Sequence, residues 1–194
     1  MVPVRCYCPE TDPSIHDLKY QFNGVIYSDD GGEAWVPGGR SESEVGECSI
    51  VERSDGAVYV NHRTSASKAR NPERLQNVSL DGGETFTALE PSGLKDARCH
   101  AGLTALPLSS GNRLLLMSSV PGPGRKGLTL NASENEGRSW KSLRVIEPGQ
   151  AAYSDLAVLS NGQIICVYET GEKTSRRDLA IARFNLAWIE ENEF

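Results

Sequence analysis

Ser28-Asp29-Asp30-Gly31-Gly32-Glu33-Ala34-Trp35 is the first of three copies of one pattern. The others are Ser79-Leu80-Asp81-Gly82-Gly83-Glu84-Thr85-Phe86 and Ser133-Glu134-Asn135-Glu136-Gly137-Arg138-Ser139-Trp140. The shared form is Ser-x-Asp/Asn-x-Gly-x-x-aromatic, and its serines stand 51 and then 54 residues apart. A repeat of that length is one propeller blade, a four-stranded antiparallel sheet.

The residue types suit a tight turn between two strands. Ser and Asp or Asn side chains bond nearby backbone groups, and Gly takes a backbone angle that a Cβ disfavours. The aromatic opens the next strand and can lay its ring under the turn. All three copies resemble the Asp box of sialidase-like propellers. The box is a fold staple, so these residues are expected to do no chemistry.

Strand-like runs recur around the boxes. Val2–Cys8 and Gly24–Tyr27 precede the first; Cys48–Glu52, Ala57–Asn61 and Leu75–Val78 precede the second. Leu103–Leu106, Arg113–Ser118 and Gly127–Leu130 precede the third, and Leu156–Leu159, Gln163–Tyr168 and Leu179–Phe184 follow it. The turn pairs Asp55-Gly56, Ser110-Gly111 and Asn161-Gly162 each follow the first strand of a blade. A short helix is expected near Leu186–Glu191. The chain therefore reads as one all-β domain over residues 1–194, with boxes at 28–35, 79–86 and 133–140.

A hydrophobic content of 38% with 19 Gly and 10 Pro suits short strands and frequent turns. The net charge of −6 argues against non-specific nucleic-acid binding, and leaves room for a locally positive pocket. No apolar run reaches membrane-spanning length. Five cysteines without a Cys-x-x-Cys pair read as free thiols, and no metal or cofactor set is legible. Cys6 and Cys8 would share a strand face. Asn77-Val78-Ser79 and Asn131-Ala132-Ser133 match glycosylation acceptors, but both run into boxes and are read as coincidence.

Four segments extend the resemblance to exo-sialidases over nearly the whole chain. They are Gly46-Glu47-Cys48-Ser49-Ile50-Val51-Glu52 with Val58-Tyr59-Val60-Asn61-His62-Arg63, then Pro121–Leu130 around Arg125, then Ala152-Tyr153-Ser154-Asp155-Leu156, then Val167-Tyr168-Glu169-Thr170-Gly171. The resemblance implies a six-bladed propeller, of which about 52 residues per blade leave this chain fewer than four blades. It also implies a terminal sialic acid on a glycan as substrate, with Tyr153 as nucleophile and Glu47 as its base. Arg63 and Arg125 match two of the family's three carboxylate-binding arginines, and Glu169 matches the carboxylate that braces the remaining one.

The chemistry is consistent with those residue types. The anomeric carbon of sialic acid carries a carboxylate, which repels a carboxylate nucleophile; a neutral phenol with a base avoids that repulsion. Arginine's planar fork suits the substrate carboxylate better than lysine does. The family's first arginine and its acid/base aspartate have no match: Arg5 is not in that arginine's context, nor Asp12, Asp17, Asp29 or Asp30 in the aspartate's. The chain is thus expected to be the C-terminal two-thirds or so of a sialidase.

Two alternatives stay open: a sialic-acid-binding or scaffold propeller without turnover, and an unrelated propeller bearing the same boxes. His16, His62 and His100 form no ligand cluster, and on a strand His62 should face away from Arg63. His100 is expected to start a strand in a structural role. Arg70 and Arg74 read as surface charges, and the acidic stretch Glu42, Glu44, Glu47 allows a plain solvated face.

Overall fold

Residues 1–7, 21–43, 45–64 and 72–191 are described by the computed structural model. They form an all-β structure of three antiparallel sheets. The first sheet holds β1 (Val2–Tyr7), β2 (Gln21–Tyr27) and β3 (Val36–Ser43) in that order. The second holds β4 (Val45–Glu52), β5 (Val58–Thr64), β6 (Glu73–Ser79) and β7 (Glu90–Lys95). The third runs β8 (Gly102–Pro107), β9 (Arg113–Ser119), β10 (Lys126–Ser133), β11 (Lys141–Val158), β12 (Ile164–Gly171) and β13 (Asp178–Phe184). Helix α1 (Leu186–Glu190) follows, capped by the Asn185 side chain accepting from the Trp188 N–H.

β11 explains the six strands of the third sheet. Its first part, through Gln150, pairs with β10, and the part from Gln150 onward pairs with β12. One long strand thus belongs to two sets of strands, β8–β10 before it and β12–β13 after it. Strands β4 and β8, and β8 and β11, approach one another side by side, and β1 lies against β4.

The three repeat turns have one hydrogen-bond pattern. In each, the Ser hydroxyl accepts the N–H of the conserved-spacing glycine at 2.8 Å, from Gly32, Gly83 and Gly137. The same hydroxyl donates to Asp30, Asp81 or Asn135 at 2.7, 2.8 and 3.0 Å. That carboxylate or amide oxygen then accepts the N–H of Ala34, Thr85 or Ser139. Each turn is closed by side chains bonding backbone four residues away, which is why the motif is readable in sequence. Each turn links β2 to β3, β6 to β7 or β10 to β11.

The aromatics differ. Phe86 packs on Val58 and Val60, and Trp140 sits 6.1 Å from the Tyr59 ring. Trp35 is 47% exposed and turns its Nε1–H to the Gly32 carbonyl. Trp35 therefore lies against its own turn and stays exposed, while the other two rings pack against residues of β5.

The core lies between sheets. β9 reads Arg-Leu-Leu-Leu-Met-Ser-Ser without alternation because both its faces are covered. Leu114 and Leu116 pack with Leu128, Leu130, Ile164 and Phe184, while Leu115 and Met117 pack with Tyr59, Leu94 and Leu103. Each such buried side chain contributes about 1.5–3 kcal/mol of burial free energy. β13 alternates instead: Ala180 and Ala182 face the core, and Leu179 and Ile181 face outward.

Three sequence readings are revised. β3, β7 and the first half of β11 carry too many Gly, Pro and charged residues to read as strands, yet outer strands need only backbone pairing and one covered face. His100 precedes β8 rather than starting it. Arg74 is not a surface charge: it is 1% exposed, with Nη1 3.3 Å from Asp96 and 3.1 Å from the Cys99 carbonyl. Arg74 alternates with buried Gln76 on β6, a pattern indistinguishable in sequence from a solvated face.

Other readings stand. Asn77 and Asn131 are each 2% exposed, so neither acceptor side chain is available. Cys6, Cys48, Cys99 and Cys166 are free thiols. Cys8, Asp12, His16, Asp17, Glu44 and Arg70 lie outside the described residues. Among the described residues no helix is long and apolar enough to cross a membrane.

Candidate active site

Glu47 on β4 and Tyr153 on β11 both sit where strand register slips. The β4–β5 pairing jumps between Val45 and Cys48, and the β11–β12 pairing jumps between Ala151 and Ser154. A bulge breaks the alternation of side chains and re-aims the residue within it. Here both bulges aim polar side chains at one point, where the Tyr153 hydroxyl donates to Glu47 Oε1 at 2.8 Å.

Arg63 on β5 completes a triangle. Its Nη1 lies 2.5 Å from Glu47 Oε2 and 2.8 Å from the Tyr153 oxygen. As expected, His62 faces the other way, bonded to Asn23 at 2.8 Å and Asn77 at 2.9 Å and 1% exposed.

Arg125 arrives from the turn before β10. It has φ +49°, flanked by Gly124 and Gly127 at +86° and +75°. Its carbonyl accepts the Ala151 N–H at 2.9 Å, which ties this turn to the strand bearing Tyr153. Its guanidinium carbon stands 5.5 Å from the centre of the Tyr153 ring, and Nη2 donates to the Arg98 carbonyl at 2.9 Å. Glu169 on β12 accepts the Tyr153 backbone N–H at 3.3 Å. Glu47, Arg63 and Arg125 therefore surround the Tyr153 side chain, and Glu169 touches only its backbone.

The electrostatics are opposed across the central bond. For Glu47, burial opposes ionisation, but the Tyr153 hydrogen bond and the Arg63 charge outweigh it and hold the carboxyl below its ordinary range. Burial and the Glu47 hydrogen bond push the Tyr153 phenol up, and the Arg63 and Arg125 charges partly offset them. The resting state is thus a neutral phenol donating to a carboxylate. Arg63 is held further into its charged form: Glu47 beside it outweighs the cost of burial.

Three participants were not assigned from sequence. Arg5 on β1 places Nη1 3.2 Å from Glu47 Oε1. The His100 ring lies 6.1 Å from the Tyr153 ring, with Nδ1 3.0 Å from the Ser154 carbonyl and Nε2 3.2 Å from the Ser49 hydroxyl. Asp96, 4% exposed, accepts the Thr64 and Arg98 N–H groups at 2.9 and 2.8 Å and pairs with Arg74, supporting the base of the site. No local motif marks these three; their roles exist only through strand adjacency. Among the described residues no group of His, Cys, Asp and Glu is placed to hold a metal ion.

The geometry offers a proton acceptor on a phenol and guanidinium donors beside it. Among the described residues the side-chain hydrogen bonds of Arg63 use Nη1 and that of Arg125 uses Nη2, which leaves further guanidinium donors on each. Such a site can hold an anion next to an activated hydroxyl.

Comparison with known proteins agrees in kind. The BNR repeat-like domain model matches residues 7–183. A sialidase of Micromonospora viridifaciens is 31% identical over 84% of this chain and 25% of its own length. A sialidase of Vibrio cholerae is 30% identical over 78% of this chain and 23% of its own. The chain thus spans about a quarter of the length of the curated relatives it matches. Among solved structures, the Hadza microbial sialidase Hz136 superposes with a TM-score of 0.73 at 26% identity, covering 87% of this chain and 33% of that one.

Proposed function

The chain belongs to the BNR repeat-like domain family and is related to sialidases, and on that premise we propose that it carries the nucleophile side of an exo-α-sialidase site. The single observation that carries this reading is the Tyr153–Glu47–Arg63 triangle, with Arg125 over the Tyr153 ring. The substrate is a terminal sialic acid on a glycan.

Arg63 and Arg125 hold the substrate carboxylate with their remaining donors. The Tyr153 oxygen bonds to the anomeric carbon as the bond to the aglycone breaks, and the phenolic proton passes to Glu47. Water then attacks the glycosyl-tyrosine, Tyr153 leaves and recovers a proton from Glu47, and configuration is retained overall. The aglycone oxygen takes up a proton in the first step and the attacking water gives one up in the second, and no described residue is assigned to that acid/base role. Glu169 braces the Tyr153 backbone in this arrangement.

In this reading the sheets are parts of a six-bladed ring. β4–β7 and β8 to the first half of β11 are whole blades, and the other two sets are three-stranded portions, about four blades in all. The site lies where their inner strands converge.

The test uses a fluorogenic sialoside and the protein carrying this chain, wild type against Tyr153→Phe. Turnover should fall by orders of magnitude in the variant while calorimetric binding of sialic acid persists. An unchanged rate removes Tyr153 from the nucleophile role. Binding without hydrolysis in the wild type instead supports the binding-module reading.

A further inference from the structure

Glu47 is shared between two cations of unequal hold. Arg63 reaches Oε2 at 2.5 Å with a side chain 21% exposed. Arg5 reaches Oε1 at 3.2 Å with a side chain 42% exposed. Charge-assisted N–H···O bonds close to about 2.7–2.9 Å, so the Arg5 contact is the looser one. Oε1 is also the oxygen that accepts the Tyr153 hydroxyl, and so the one on which the phenolic proton would arrive.

We propose that Arg5 is a positioning residue that releases Glu47 when an acidic sugar binds, exchanging the Glu47 carboxylate for that of the ligand. The proposal rests on the sialoside reading of the site. While Arg5 lies against Oε1, its charge stabilises the carboxylate and weakens Glu47 as a base. A carboxylate entering beside Arg63 and Arg125 offers Arg5, 42% exposed at the side chain, another anionic partner. Once Arg5 turns to it, the proton affinity of Oε1 rises with the phenol already hydrogen-bonded there, so the base strengthens only when substrate is present.

Among the described residues, several other groups surround Glu47. Arg63 faces it from β5 and Tyr153 from β11, with Arg125 and His100 beyond Tyr153. Cys6 lies on β1 next to Arg5, and Cys48 follows Glu47 on β4; the Cys48 thiol is pushed up to about 12 by burial and stays neutral. Asp96 stands behind Arg63. Of the two cations on Glu47, Arg5 is the more exposed.

The experiment follows the Glu47 side-chain carboxyl by carbon-13 NMR titration in wild type, Arg5→Gln and Arg5→Lys, with and without N-acetylneuraminic acid. Without ligand, Arg5→Gln should raise the Glu47 titration midpoint by about half a unit to one unit, and Arg5→Lys, which keeps the charge, should stay close to wild type. Ligand should raise the midpoint more in wild type than in Arg5→Gln, since only wild type also loses the Arg5 contact. Equal ligand-induced shifts in both proteins, or no difference between them without ligand, overturns the proposal while leaving the sialoside reading intact. If calorimetry finds no binding to wild type or either variant, the sialoside reading fails and this inference falls with it.

Discussion

Tyr153 and Glu47 stand 106 positions apart in the chain and share a 2.8 Å hydrogen bond. Each occupies a break in its strand's pairing, so the same local irregularity occurs twice and its two products meet. The bond joins a phenol pushed above its ordinary range to a carboxyl held below its own. A proton resting between such groups belongs to the phenol, and moving it requires a change in what surrounds Glu47.

The Tyr153 phenol should respond to its neighbours with opposite signs. Glu47→Gln removes an anionic partner and should lower the Tyr153 titration midpoint, and Arg63→Gln removes a cation and should raise it. Carbon-13 tyrosine NMR across alkaline pH measures both. Shifts of the same sign would contradict the arrangement. In a turnover assay Glu47→Gln should cost roughly 10²–10⁴-fold.

Asp96 and Arg74 are each 1% exposed at the side chain and 3.3 Å apart. Asp96→Asn leaves the guanidinium buried without its counter-charge and weakens the bonds from Thr64 and Arg98. Urea unfolding should show a loss of about 3–5 kcal/mol. A loss below about 1 kcal/mol would mean that water already reaches this pair.

His62 carries a pH dependence of stability. Burial lowers its folded pKa from 6.5 to about 4. Between those values the unfolded chain binds the extra proton, so stability is complete above about pH 6.5 and declines as pH falls toward 4. The contribution is about 3 kcal/mol at the acid end. His62→Asn should flatten this part of the stability–pH curve measured by denaturant titration; a curve of unchanged slope would show that another group dominates.

Gly137 and Gly111 have nearly the same left-handed backbone, φ +85° and +86°, in different surroundings. A Cβ on Gly137 would lie 2.4 Å from Tyr59 Cε2, and one on Gly111 would meet nothing within 4 Å. Gly111→Ala should cost about 1–2 kcal/mol from backbone strain alone. Gly137→Ala should cost clearly more, because Tyr59 is 1% exposed between sheets and cannot withdraw freely. Thermal unfolding of the two variants compares them directly; equal costs would remove the steric part.

The sequence by itself determined the elements whose causes are local. The repeat turns were legible because Ser, Asp or Asn and Gly close their own hydrogen bonds within five residues. Central strands such as β9 are legible because apolar runs mark them, and Tyr153, Glu47, Arg63, Arg125 and Glu169 are picked out by the resemblance to sialidases. The tertiary structure alone decided that Arg5 touches Glu47, that Arg74 is buried against Asp96, and that β11 runs through two units. Those facts depend on which strands lie side by side and where their pairing slips, and a residue's own neighbours in sequence carry no record of the cation or carboxylate that another sheet will bring to it.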